Sequence, residues 1–428
     1  MPTICTSFEL ASRAGMIKLS SPALPPHRRS LVLFGSPLAS TMVKIALNAL
    51  LLSRSASYRS AGISQYIYEL LRNLRLRPPE QLYEAFVTAD PGDIALSPTP
   101  NFHCTSVGPL FGKPSMRVLW EQLVQPLTLT RRPPDVLHAL GYALPLAWRG
   151  RTVITICDVS FARYPGLFNR SNAIYLSTIA RLSARKASMV LTISESTRRD
   201  VIQLFGVSPE RVTTSYCGVS DRFQPASDSE IEALRARAQL PRSFLLYLGT
   251  IEPRKNVAGL VRAYARYRQE VTDPVTLVLA GGRGWKDRQV FDLVDRLGLR
   301  DCIRFPGYVP SEDLPAWYSA ATAFVYPSRY EGFGLPVAEA MACGTPVITT
   351  TSSSLPEVVG DAGLLVGPDD EAALSSAIAR VASDSELRRT LSLAGRKRVA
   401  RFRWEHTAAE TAGAYERLIN SPRGYSGE

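Results

Sequence analysis

Residues 330–348 read YEGFGLPVAEAMACGTPVI. Two glutamates, Glu331 and Glu339, stand with seven residues between them among glycine, proline and small apolar residues. The preceding TAFVYPS and the following PVITT are both β-branched and apolar, so the stretch reads strand, loop, helix, strand. Pro336 suits a first helical turn, where a missing N–H costs nothing, and Gly344 suits a left-handed exit. The Gly332-Phe333-Gly334 loop therefore ends at a helix N-terminus, whose free backbone N–H groups attract anions. Glycine there lets a phosphate or a sugar approach the backbone closely. Glu339 falls about one turn inside the helix, and helical side chains lean toward the N-terminus. One bound molecule could thus touch both acids and the backbone donors. A loop-capped core helix with two surface acids is the plainer alternative, and the surrounding glycines and prolines weigh against it.

Outward from this stretch, short strands alternate with longer amphipathic helices. Strands are expected at 43–49, 83–88, 135–138, 151–156, 188–193 and 211–215, then at 243–249, 275–280, 301–305, 322–326 and 346–350. Helices are expected at 63–74, 171–186, 194–205, 256–268, 287–297, 311–319 and 371–382. Such alternation implies an α/β protein whose parallel sheets carry helices on both faces. The segment FQPASDSEIEALRARAQLPRS (223–243) is charged, contains prolines and has no buried-strand pattern, so it reads as an interdomain connection. Two tandem Rossmann-like domains follow: an N-terminal one at 42–222, a linker at 223–242 and a C-terminal one at 243–400. A pair of this kind holds its ligand in the cleft between domains, facing the carboxyl ends of the strands.

Three further stretches point to that cleft. In LLYLGTIEPRKNVAGLVRAY (245–264) a strand ends at Gly249, and Asn256 is placed to cap the next helix. Arg254 and Lys255 between them can neutralise a diphosphate, arginine as a bidentate fork and lysine as a point charge. In SYRSAGISQYIYELLRNL (57–74), Gly62 opens a helix and could admit a phosphate, although a plain loop-to-helix turn is the stronger reading of one glycine. That helix, with Arg72, Arg75, Arg77 and the nearby Arg54 and Arg59, offers a basic face for anionic lipid or simply for solvent. In VITICDVSFARYP (153–165), Asp158 follows a buried strand and can accept from a sugar hydroxyl or cap a turn. His138 also ends a strand, where a lone histidine is more often structural. The loop AGGRGW (280–285) matches a dinucleotide fingerprint only superficially, because G-x-G-x-x-G is incomplete.

The chain of 428 residues exceeds one ordinary core, and 45% hydrophobic with 21% charged content describes a folded protein. Its net charge of +12 fits an anionic partner such as a nucleotide or a phospholipid surface; a nucleic acid ranks last for want of a recognised motif. Six cysteines are scattered without Cys-x-x-Cys spacing, which argues against a disulfide framework or a zinc site and for a reducing compartment. Residues 1–41 have four basic residues and one acid, with many serines and prolines. They read as a targeting segment or as a start assigned too far upstream of Met42, which opens the clean strand pattern MVKIALNALL. The apolar run from Leu31 to Leu52 is broken by Gly35, Pro37, Lys44 and Asn48, which excludes a spanning helix there.

Taken together, EPRKN, the run from Tyr308 to Ile348, SSLPEVVGDAGLLV and FRWEHTA resemble glycosyltransferase family 4, the retaining group 1 enzymes of GT-B fold. The similarity covers roughly residues 42–420, with the motifs in family order. It is nearest to the mannosyltransferase-like enzymes of bacterial surface polysaccharide synthesis. The resemblance implies a nucleotide-sugar donor on the second domain, GDP-mannose or alternatively a UDP-sugar, and a glycan or lipid-linked acceptor on the first. It implies catalytic roles for Asp158, Arg254, Lys255 and Glu331. It implies donor contacts from Gly62, Phe305, Gly332, Phe333, Gly334, Leu335 and Glu339, with Glu331 near the sugar and Glu339 near the ribose. The segment Phe305–Tyr308 would border the base, and residues 401–428, from around Trp404, would form a helix returning to the first domain. No metal is expected to be essential, because no Asp-x-Asp motif occurs. A cytoplasmic enzyme, peripheral on the inner membrane face and meeting an anionic membrane surface, is the implied setting. A transferase with a small soluble acceptor, or a catalytically weakened sugar-nucleotide-binding protein, stands as the alternative. The chain departs from the family it resembles at Cys157, in Thr155-Ile156-Cys157-Asp158, where that family commonly reads T-x-His-Asp, and a thiol is a poorer hydrogen-bond donor than an imidazole.

Overall fold

The computed structural model describes residues 42–53, 62–78, 80–89, 96–282, 284 and 287–421. The expectations for residues 1–41, for Arg54 and Arg59 and for the tip of the AGGRGW loop lie outside the described residues. The first sheet contains β1 (Val43–Asn48), β2 (Gln81–Val87), β3 (Phe102–Ser106), β4 (Val136–Ala139), β5 (Thr152–Ile156), β6 (Met189–Thr192) and β7 (Val212–Thr214). They lie in the order β3-β2-β1-β4-β5-β6-β7, every neighbouring pair parallel. The second contains β8 (Phe244–Leu248), β9 (Thr276–Ala280), β10 (Ile303–Gly307), β11 (Ala323–Tyr326), β12 (Val347–Thr350) and β13 (Leu364–Val366). Its order is β10-β9-β8-β11-β12-β13, again parallel throughout. Both sheets are therefore doubly wound, and each reverses its strand order beside its first strand, at β1/β4 and at β8/β11. Ligands of such sheets bind outside the carboxyl ends at that reversal.

The central strands are the ones the sequence announces. Leu245, Leu246 and Tyr247 of β8, and Phe324, Val325 and Tyr326 of β11, are fully buried, as expected of strands covered on both faces. The two strands not anticipated, β3 and β13, are sheet edges. β3 reads FHCTS and is largely open to solvent, and β13 has three residues, so neither carries a long apolar run. Helical structure at 114–131 was also unannounced; it runs through Pro114–Leu119, a π-helical turn Trp120–Val124, and Gln125–Arg131. Within 223–243 lies a helix, Asp228–Ala238, closed by a reciprocal capping box between Ser227 and Glu230. The helix expected at 194–205 divides into Glu195–Asp200 and a π-helical turn Val201–Phe205.

Two chain crossings join the sheets, and they lie side by side. Val219 N donates to Phe402 O at 2.9 Å, and a Cβ on Gly218 would meet the Trp404 backbone nitrogen at 2.2 Å. The helix Trp404–Asn420 then packs on the first sheet. Its Trp404 ring lies 6.0 Å from Tyr66, and Gln81 donates to Ala412 O and Glu416 at 3.4 and 3.1 Å. His138 is fully buried between Tyr415 Oη at 2.7 Å and Thr155 Oγ1 at 2.8 Å. Burial lowers its pKa to about 3, so it is a neutral structural link. Among the described residues no helix is long and apolar enough to cross a membrane.

Candidate functional site

The loops that leave β8, β11 and β12 converge on a buried cluster of charges. After β8 the chain turns through Pro253–Lys255, and Asn256 adopts a left-handed conformation with φ 55° before the helix Val257–Glu270. Asn256 takes the capping position, but its side chain donates to Pro368 O at 2.8 Å instead of bonding the helix end. This turn aims Arg254 and Lys255 at Glu331, just beyond β11. Lys255 Nζ donates to Glu331 Oε1 at 2.6 Å and to the phenol oxygen of Tyr326. Arg254 donates to Glu331 Oε2 at 3.2 Å and Tyr330 O at 2.8 Å, and pairs with Glu252 at 2.8 Å. Ser328 Oγ completes the shell on Glu331 Oε1 at 2.6 Å.

Burial would raise the Glu331 carboxyl, but Lys255 and Arg254 outweigh it and hold the group down at about 2. Burial likewise opposes the charge on Arg254, and Glu331, Glu252 and Asp158 overcome it, holding the guanidinium protonated. Two acids and two basic side chains thus form one buried unit at the carboxyl end of the second sheet, in which burial and then Arg254 pull the Lys255 amine below its ordinary value while Glu331 and Glu252 oppose the shift. Both basic side chains are oriented in advance by Glu331, with Glu252 also on Arg254.

Glu339 lives in a different environment. It accepts from Tyr318 Oη at 3.1 Å. Burial pushes its carboxyl up to about 7, against the pull of Arg222 and Tyr318, and the charge of Glu69 adds to the rise. The paired glutamates therefore diverge: one is held ionised, while the other titrates near neutrality. Between them, Gly334 has φ 102° and precedes the helix Leu335–Ala342, with Pro336 in its first turn and Gly344 leaving at φ 77°.

Gly332 closes the cleft. A Cβ at this position would stand 2.0 Å from Cys157 O and 3.1 Å from the Asp158 Cβ, so the loop after β11 lies directly against the loop after β5. The Cβ side of this glycine is therefore taken up by backbone of the opposite loop. Phe333 is also committed, with its ring buried 5.2 Å from Phe402 and 6.3 Å from Tyr216 at the interdomain crossings. Asp158 caps a turn, accepting from Ser160 N at 3.0 Å and Ser160 Oγ at 2.8 Å, while its charge still acts on Arg254. Cys157 is buried, and burial followed by Asp158 pushes its thiol well above the usual range, so it is a neutral thiol.

The structure thus brings Asp158, Arg254, Lys255, Glu331 and Gly332 together. Gly62, with φ 60°, starts the helix Ile63–Leu74, and no described atom would lie within 4 Å of a Cβ there. Phe305 sits on the edge strand β10, where its ring packs 4.9 Å from Phe291. Beside it, Gly249, Gly281 and Gly307 end three adjacent strands. Gly281 donates to Gly307 O at 2.7 Å, and a Cβ on Gly281 would meet Gly249 O at 2.1 Å. Sequence reading dismissed that glycine as part of a failed fingerprint; its signal was its position at the end of β9.

Other residues of the site carry no sequence signal by themselves. Ser353, in the left-handed region at φ 50°, accepts from Glu331 N at 2.8 Å. Ser354 donates to Glu331 O at 2.9 Å and Phe333 O at 2.8 Å, so a pair of serines pins the glutamate loop.

Residues 230–398 match the model for glycosyl transferases group 1, and residues 60–223 match that for glycosyltransferase family 4. The chain is 38% identical over 284 residues to O-antigen chain mannosyltransferase B of Escherichia coli, covering 66% of this chain and 74% of that protein. It is 31% identical over 251 residues to the serotype-specific mannosyltransferase WbdA of Escherichia coli, covering 58% of this chain and 31% of that longer protein. Among solved structures, the sucrose-phosphate synthase from Thermosynechococcus elongatus superimposes with a TM-score of 0.73 at 24% identity, over 88% of this chain and 99% of that one. The doubly wound pair of sheets is the GT-B fold, and the chain belongs to glycosyltransferase family 4, the group 1 glycosyltransferases.

Proposed function

We propose that this protein is a retaining, metal-independent hexosyltransferase that moves mannose from GDP-mannose to a hydroxyl of a glycan or lipid-linked acceptor in surface polysaccharide synthesis. The observation that carries the reading is the buried Arg254–Lys255–Glu331 unit facing Asp158 at the meeting of the two sheets. The likeness to an O-antigen mannosyltransferase supports the choice of sugar and pathway. A UDP-sugar is the alternative donor.

In this mechanism the donor diphosphate lies against Arg254 and Lys255, which exchange part of their bonding to Glu331 for phosphate oxygens. The bond between the sugar's anomeric carbon and the diphosphate oxygen breaks, and the acceptor oxygen bonds to the same face of that carbon. The acceptor proton passes to the departing phosphate. Stabilising the leaving charge with fixed cations is the work other enzymes give to a divalent ion. Glu331 preorganises the cations, and Glu339 reads the ribose hydroxyls.

A thermal-shift screen of GDP, UDP and their sugars tests the donor, because a ligand bound only to the folded chain stabilises it by mass action. Stabilisation by GDP-mannose with EDTA present is the expected result. A chain indifferent to every sugar nucleotide sinks the donor reading.

The membrane side of the proposal rests on a different face from the helix at 63–74. Leu119, Leu123, Leu127, Ile174 and Leu182 project into solvent from 114–131 and from the helix Arg170–Lys186. Exposed Lys113, Arg131, Arg132, Arg170 and Arg181 stand among them. Exposed leucine interleaved with cations fits an anionic lipid surface.

A further inference from the structure

One helix of the first domain, Glu195–Asp200, touches the donor-side loops of the second at three points. Asp200 accepts from Tyr330 Oη at 2.7 Å. Thr197 Oγ1 lies 3.4 Å from both Gly332 O and Cys157 O. The third point is Glu357. Its carboxylate accepts the backbone N–H of Glu195 at 2.8 Å and that of Ser196 at 2.6 Å, and Tyr216 Oη adds a bond at 3.3 Å. A carboxylate on two amides at a helix start is a charge-assisted contact favoured by the local dipole. Glu357 is also held from behind, because Arg398 donates to Glu357 O at 2.7 Å and Val358 O at 3.1 Å.

Glu357 is four residues beyond Ser353, whose hydroxyl accepts from Glu331 N, and three beyond Ser354, which donates to Glu331 O and Phe333 O. The segment 353–357 therefore holds the glutamate loop at one end and the first domain at the other. We propose that Glu357 is a positioning residue for sugar transfer, aligning the Arg254–Lys255–Glu331 unit with the acceptor side at Cys157 and Asp158 through its bonds to the Glu195 and Ser196 amides. It does not touch the donor. Losing it should leave nucleotide binding in place and misalign the reacting groups, and small misplacements of this kind are costly in rate. The catalytic readout rests on the transferase reading, so the test adds one that does not.

Glu357→Gln keeps the shape and weakens the acceptor. From the other side, Glu195→Pro deletes one amide at the first helical position, where proline is tolerated and where extended Ser194 (φ −158°, ψ 159°) already suits it. Comparing it with Glu195→Ala isolates the amide from the side chain. We expect Glu357→Gln to lower kcat by about tenfold or more, while affinity for GDP or UDP stays within about twofold. The change from alanine to proline at 195 should lower kcat comparably in the wild-type background and by less than about twofold in Glu357→Gln, as coupled residues require. Losses that multiply independently, an unchanged kcat in folded Glu357→Gln, or a parallel loss of nucleotide affinity would overturn the proposal. If Glu357→Gln fails to fold, the alanine-to-proline pair at 195 reads the same contact. If the wild-type chain turns over none of the donors tried, amide hydrogen exchange decides: residues 195–197 and 330–333 exchange faster in Glu357→Gln, and unchanged exchange in both segments refutes the alignment role.

Discussion

Gly332 lies so close to Cys157 that a Cβ on the glycine would stand 2.0 Å from the cysteine carbonyl oxygen. Separations under about 3 Å force something to move, and here the obstacle is backbone on the opposite side of the cleft. Gly332→Ala should therefore push the two loops apart. Turnover is expected to fall by about a hundredfold, as for other angstrom-scale misplacements. Circular dichroism should remain native, and wild-type turnover in the folded variant contradicts the close approach.

The same contact bears on Cys157, whose carbonyl it involves. Cys157 meets Gly332 through its carbonyl, and its thiol is buried and protonated. Cys157→Ser should keep kcat within about threefold, because a near-isosteric change leaves the backbone contact intact. Cys157→His must fit a larger ring into a filled site and should destabilise by about 1–3 kcal/mol. Thermal unfolding of the two variants, with initial rates, checks both; a tenfold loss in the serine variant would give the thiol a chemical role.

Removing a cation from the buried unit affects stability as well as rate. Lys255→Met leaves the Glu331 carboxylate with Arg254 as its cation and Ser328 as a hydroxyl donor. Breaking a buried pair on one side costs about 3 kcal/mol. Turnover should fall by at least about a hundredfold if Lys255 meets the leaving diphosphate. Lys255→Met/Glu331→Gln removes both charges and should recover much of the stability with none of the activity. Denaturant titration of the single and double variants separates the two effects.

Glu339 supplies a pH dependence. Burial pushes its folded carboxyl up to about 7, from the ordinary glutamate value of about 4.5. The folded state thus holds a proton the unfolded chain has released, so this group's contribution to stability is full below the unfolded value and is lost as pH rises toward 7. Ionised Glu339 is the better acceptor for ribose hydroxyls, so GDP should bind more tightly at pH 8 than at pH 6, by no more than about tenfold per pH unit for one proton. Calorimetric titration at both values should show this difference in the wild type and not in Glu339→Gln.

The exposed leucines predict salt-sensitive lipid binding. The chain should sediment with vesicles containing anionic phospholipid at low ionic strength and be released by salt. Leu123→Glu/Leu127→Glu should abolish sedimentation without changing transfer to a soluble acceptor. Sedimentation that survives both charges would move the membrane face elsewhere.

Much of the scaffold was legible because central parallel strands announce themselves. β8 and β11 are apolar on both faces, and their glycine- and proline-marked turns show where helices begin. The edges β3 and β13 escaped notice because half-exposed strands lose that run of apolar residues. The helix at 114–131 escaped because it leaves large residues such as Leu123 and Leu127 in solvent, which breaks the expected amphipathic pattern. Motif spacing located Arg254, Lys255, Glu331 and Glu339, but the two glutamates look alike in sequence. Their separation into an ionised acid at about 2 and one near 7 depends on which neighbours folding places around each.

The linear order of residues by itself determined two parallel-sheet domains, a diphosphate-suited Arg–Lys pair and a glycine-rich glutamate loop, because periodicity and turn chemistry are local. Tertiary structure alone decided that Gly332 serves a backbone contact, that Phe333 anchors the crossings and that Glu357 reaches 162 residues back to the Glu195 amide. Those contacts join segments far apart in the chain, and only packing of the whole fold brings their atoms within bonding distance.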